Sequence, residues 1–96
     1  MMIKELKEFL KDIEAIGRCN LEAVRIATGS RNMETAIKEM FYVEGIIDTL
    51  ERLSKCYPHR SGEDEKIRRV AARLYGEKEE CAVDFTETFE REYYKQ

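Results

Sequence analysis

Apolar residues recur along this chain at helical spacing and almost nowhere at the alternating spacing of a strand. Leu6, Leu10 and Ile13 follow Ile3 in steps of three, four and three, with Phe9 and Ile16 beside the stripe and charged residues between. That pattern predicts an amphipathic helix over about 2–16. Gly17 then stands where a C-terminal glycine would, and Asn20 reads as the cap of a short helix over about 21–28 that Gly29 ends.

From Asn32 the stripe becomes Met33, Ala36, Met40, Val43, Ile47, Leu50 and Tyr57, with Ile46 and Leu53 alongside and Ser54 as its one polar interruption. Pro58 disfavours helical geometry at the residue before it, so this helix is predicted over about 32–57. Pro58-His59-Arg60-Ser61-Gly62 is the one strong loop signal. Ser61 or Gly62 can cap the last helix, and Glu63, Asp64 and Glu65 fall where its N-terminal dipole favours anions. Ile67, Val70, Ala71, Leu74, Cys81, Phe85 and Phe89 keep phase across Gly76. One unbroken helix over about 63–94 follows, with Gly76 as its weak point.

These elements predict a single all-α domain over 1–96. A helix of about 32 residues is roughly 48 Å long, whereas a compact domain of this size has a radius of gyration near 13 Å. The expected architecture is therefore an elongated bundle: a long antiparallel hairpin (32–57 and 63–94) packed by two shorter N-terminal helices. The end of the last helix overshoots the hairpin. Phe89, Tyr93 and Tyr94 are then expected to rest on Leu21, Val24 and Ile26, or on another chain.

Composition narrows the functional classes. Charged residues make up 39% of the 96, against about 25% in an average globular protein. The longest uncharged apolar run is Met40-Phe41-Tyr42-Val43, far short of the roughly 20 residues of a membrane span. No apolar N-terminal stretch resembles a signal peptide. A net charge of −3 gives no general attraction to nucleic acid or anionic lipid. Cys19, Cys56 and Cys81 are odd in number and widely spaced, and His59 is the lone histidine. Neither a zinc site nor a cofactor motif follows, and free thiols in a reducing, cytoplasmic compartment are expected.

The charges are ordered along the last helix. Lys66, Arg69 and Arg73 share a face with Glu80, Asp84 and Glu87, and Gly76 lies near the midpoint of the two triplets. An antiparallel copy crossing at Gly76 would set each triplet against the opposite charge, which predicts a two-fold homodimer.

Other constellations suggest other chemistry. Glu44, Asp48 and Glu51 on one helix, with Glu77, Glu80 and Asp84 on the next, permit the Mg²⁺ site of an all-α nucleotide pyrophosphatase. Helical phase instead puts Glu44 and Glu51 on the flanks of the apolar stripe and turns Asp48 away. Arg52 and His59, with six residues between them, resemble the Arg–His pair of small helical RNases of the HEPN type. That resemblance implies a histidine polarising the 2′-hydroxyl or phosphate. The stretch from Leu21 to Met40 could form a helix-turn-helix, with Arg18, Arg25 and Arg31 on phosphates. The hairpin tip gathers Arg52, Lys55, His59, Arg60, Arg68 and Arg69. The pattern Phe85-x-Glu87-x-Phe89-Glu90-x-x-Tyr93 is similar to the final helix of small phage anti-sigma factors.

Small size, one histidine and no paired nucleophile and base favour binding over catalysis. The expected function is a non-enzymatic protein–protein interaction module: an adaptor, regulator or inhibitor of a larger assembly, acting as a homo-oligomer. Phe89, Tyr93 and Tyr94 would anchor its partner, and Arg60 and Arg68 would steer it. A nucleic-acid-binding regulator and a small helical enzyme are the alternatives.

Overall fold

A computed structural model describes residues 3–58 and 62–94, and it is all-helical and elongated. Helix α1 spans Ile3–Gly29, α2 spans Met33–Ser54 and α3 spans Glu63–Tyr93. The chain runs up, down and up, and each helix packs on both others. Glu14 and Arg18 of α1 meet Arg73 and Glu77 of α3, each pair 59 positions apart in sequence, so those two helices are parallel. The bundle measures 54 × 19 × 16 Å with a radius of gyration of 15.6 Å. Its length is that of α3, about 46 Å at 1.5 Å per residue, plus the turns.

The N-terminal half differs from expectation. One helix replaces the two expected over 2–16 and 21–28, so the bundle has three helices. Gly17 does not end a helix. It lies on the buried face of α1, in phase with Leu10, Leu21 and Val24. A Cβ at Gly17 would stand 2.8 Å from Cδ2 and 3.0 Å from Cδ1 of Leu74. The glycine therefore serves close approach between α1 and α3.

Helix α1 ends at Gly29, where the sequence placed its end, but the left-handed residue that closes it is not a glycine. Asn32 N–H donates to Ala27 O at 2.8 Å and Arg31 N–H to Thr28 O at 3.1 Å, with Arg31 at φ 60°. This is the Schellman closure, with an arginine in the left-handed position usually held by glycine. Asn32 then serves the next helix, its Oδ1 accepting from Thr35 N–H at 3.2 Å.

Helix α2 buries the expected stripe, Met33, Ala36, Met40, Val43, Ile47 and Leu50. It stops at Ser54 rather than near 57, because the chain tightens there. Lys55, Cys56 and Tyr57 each donate to the carbonyl three residues back. Ser54, though buried, satisfies its hydroxyl locally by donating to Glu51 O at 2.6 Å. Gly62, at φ 77°, caps α3, which runs through Gly76 without a break. One core joins all three helices, with Leu6, Leu21, Val43, Leu50, Ile67 and Leu74 among its most buried members. Each such side chain contributes about 1.5–3 kcal/mol through burial.

Gly17→Val is expected to lower stability by about 2 kcal/mol, because the fully buried Leu74 must shift to admit the added carbons. Gly45→Ala, whose added methyl meets nothing within 4 Å, is expected to raise stability by up to about 1 kcal/mol. Urea unfolding of the two variants reads both shifts. A Gly17→Val variant as stable as the parent would contradict the close packing.

Candidate interaction surfaces

The α1–α3 seam is held by ions. Arg73 donates through Nε and Nη2 to the two oxygens of Glu14, at 2.7 and 3.0 Å. Arg18 reaches Glu77 at 3.2 Å and Glu14 at 3.5 Å. The Arg73 hydrogen bond holds the Glu14 carboxyl below its ordinary pKa, against the opposing effect of partial burial. The same bond raises the pKa of Arg73. Such a bidentate, partly buried pair contributes more than an exposed one, on the order of 1 kcal/mol.

The charge stripe expected on α3 is therefore divided. Arg73 is turned to Glu14, and Arg69 pairs with Glu65 at 2.7 Å on its own helix. Lys66 lines the lower α1–α3 groove with Lys7 and Lys11. Glu80 and Asp84 line the upper groove with Arg25 and Arg91. Glu87 and Gly76 face solvent.

The C-terminal aromatics stack on one another. The Phe89 ring lies 6.0 Å from Phe85, 4.7 Å from Tyr93 and 5.9 Å from Tyr94. Phe89 is half-buried, whereas Tyr94 is 75% exposed. With the offset between the parallel helices, α1 ends opposite Thr88, so this stack continues past it. Ile26, expected beneath it, is instead 62% exposed.

The arginines proposed for nucleic acid are turned to carboxylates: Arg18 to Glu77, Arg25 to Glu22 at 3.5 Å, and Arg31 to Glu92 at 3.4 Å. The helix expected over 21–28 is the end of α1 rather than a separate element. Arg52 pairs with Asp48 at 3.1 Å, while His59 and Arg60 lie outside the described residues. Arg68 pairs with Asp64 at 3.0 Å, and that carboxylate is 2% exposed. Glu44 meets Lys78 at 3.8 Å, and among the described residues no three His, Cys, Asp or Glu converge on a point that could hold a metal ion. Cys19 and Cys56 are exposed and Cys81 is buried, all as free thiols. Burial pushes the Cys81 thiol up in pKa, which removes nucleophilic character. No described helix is long and apolar enough to cross a membrane.

A surface that sequence reading missed lies between α1 and α2. Phe9 and Ile13 from α1 and Phe41, Tyr42, Gly45 and Ile46 from α2 form one apolar groove. Phe41 is 64% exposed and Tyr42 51% exposed. The signal was present in Met40-Phe41-Tyr42-Val43: neighbours on a helix point about 100° apart, so four apolar residues in a row cannot all face one core. Gly45 and Gly76 share a second peculiarity. Each sits inside a helix, where glycine costs about 1 kcal/mol relative to alanine. Neither has a positive φ, and a Cβ at either would meet nothing within 4 Å. Among the described residues nothing requires either glycine.

No protein-family model, curated protein or solved structure matches this chain.

The Glu14 pair gives a pH signature. A carboxyl whose folded pKa is depressed contributes fully above its unfolded pKa and loses that contribution as pH falls through the folded value. Glu14→Gln is expected to cost about 1 kcal/mol at pH 7. The gap should narrow below pH about 4.5 and close at lower pH. Urea midpoints for both proteins across that range check it, and a gap independent of pH would contradict it.

Proposed function

We propose that this chain is a non-enzymatic protein–protein interaction module, a small adaptor, regulator or inhibitor of a larger assembly. The observation that carries this reading is the α1–α2 groove, where Phe41 and Tyr42 stand more than half exposed beside an open helix-interior glycine. Large aromatics gain most when buried at an interface. A groove between two helices matches the apolar face of a third, read at positions three and four apart. Gly45 leaves a gap in the floor into which a partner side chain can settle. The aromatic stack at Phe89, Tyr93 and Tyr94 offers a second anchor at the far end of α3. Arg68, paired with Asp64, lends the steering role no support, and Arg60 lies outside the described residues. The pairing of Arg18, Arg25 and Arg31 with carboxylates lends the nucleic-acid reading no support.

The test places a photo-crosslinking residue at 9, 41 or 79 in cells of the native host. One shared partner is expected from positions 9 and 41, and that partner is not expected from 79, which lies on the exposed face of α3 away from the groove. Phe41→Ala is expected to weaken that partner at least about tenfold, as removal of an interface anchor does, without loss of stability. Capture of that same partner from 79, or unchanged affinity for Phe41→Ala, would contradict the proposed groove.

A further inference from the structure

The parallel register of α1 and α3 places Lys7 beside Lys66 and Lys11 beside Val70, a shift of 59 positions. The lower α1–α3 groove is consequently lined by Lys7, Lys11, Lys66, Arg69 and Arg73, against the single carboxylate Glu14. Arg73 is neutralised by Glu14, and Arg69 by Glu65. Lys7, Lys11 and Lys66 have no carboxylate partner among the described residues. The upper end is the reverse. Glu80, Asp84 and Glu87 have no cationic partner there. Arg25 is held by Glu22, which leaves Arg91 as the opposing charge in that cleft. The ion pairs that join α1 to α3, Glu14 with Arg73 and Arg18 with Glu77, thus occupy the middle of this face. Unspent cations lie below it and unspent anions above it.

Gly76 lies midway between the two unspent sets, exposed and with open space where its side chain would be. Ala72, Tyr75 and Val83 are exposed around it. We propose that this face docks a second copy of the chain, antiparallel and related by a two-fold axis near Gly76. Each basic end then meets the partner's acidic end, Lys66 facing Glu87 and Lys11 facing Asp84. The close helix crossing that a glycine allows occurs at the axis. The surface is separate from the α1–α2 groove and does not depend on it. Helix α1 enters the contact through Lys7 and Lys11, so the surface belongs to two helices and extends beyond the α3 stripe.

The test uses charge reversal with rescue, read by sedimentation velocity at low salt. One variant carries Lys11→Glu and Lys66→Glu, the other Asp84→Lys and Glu87→Lys; all four positions are exposed, and circular dichroism checks that helix content is kept. The parent chain is expected to dimerise. Each variant alone is expected to dimerise at least about tenfold more weakly, because like charges then face one another twice. An equimolar mixture of the two is expected to recover the dimer, because one variant is acidic at both ends and the other basic. Phe41→Ala should leave the parent dimer unchanged. A monomeric parent, a variant that dimerises like the parent, a mixture that stays monomeric, or loss of the dimer on Phe41→Ala would each overturn the proposal.

Discussion

Gly17 brings the backbone of α1 against the side chain of Leu74, and that contact fixes how far α1 and α3 are shifted along one another. Leu74 is fully buried, and its methyl carbons stand 2.8 and 3.0 Å from where a Cβ of residue 17 would be. Once the two helices meet there, the ion pairs between Glu14 and Arg73 and between Arg18 and Glu77 fall into place on the same face. Helix α2 then fills the remaining side with Met40, Val43, Ile47 and Leu50. Close packing sets the register, and the charges at its edge confirm it at modest energetic gain.

The same register distributes what the chain leaves unused. Three helices cannot cover four consecutive apolar residues on α2, so Phe41 and Tyr42 remain outside beside Phe9 and Ile13. The basic residues of α1 fall level with those of α3, so the two helices build one field instead of cancelling. Of the three glycines inside helices, Gly17 is used within the fold, whereas Gly45 and Gly76 open onto solvent at the centres of the two unpartnered faces. Their cost in helix stability has no return among the described residues, which is the physical reason to look for it between chains.

Much of this was legible in the residues. The α2 stripe was readable from Met33 to Leu50, because its buried positions repeat every three or four, whereas Tyr57, expected to continue it, lies past the end of the helix. Helix α3 was readable through Gly76, because Ile67 through Phe89 keep phase across it. Phase applied in the same way to Gly17 would have kept α1 whole, since Leu10, Leu21 and Val24 continue one face. Glycine at 17 was misread because a terminating glycine and a packing glycine look alike in one dimension. Arg31 in the left-handed position was hidden for a related reason, since the nearby Gly29 is the better candidate by propensity. The cross-helix pairs and the α1–α2 groove depend on the shift between helices. Packing in three dimensions decides that shift, and no local pattern encodes it.

The most direct measurement is a methyl-resolved NOE experiment on the isolated protein. Strong cross-peaks from the Leu74 methyls to the Gly17 α-protons, with continuous helical amide contacts from Ile16 through Cys19, are expected from the close approach of α1 and α3. Absence of the Leu74–Gly17 peaks, or an interruption of the helical contacts at Gly17, would contradict it.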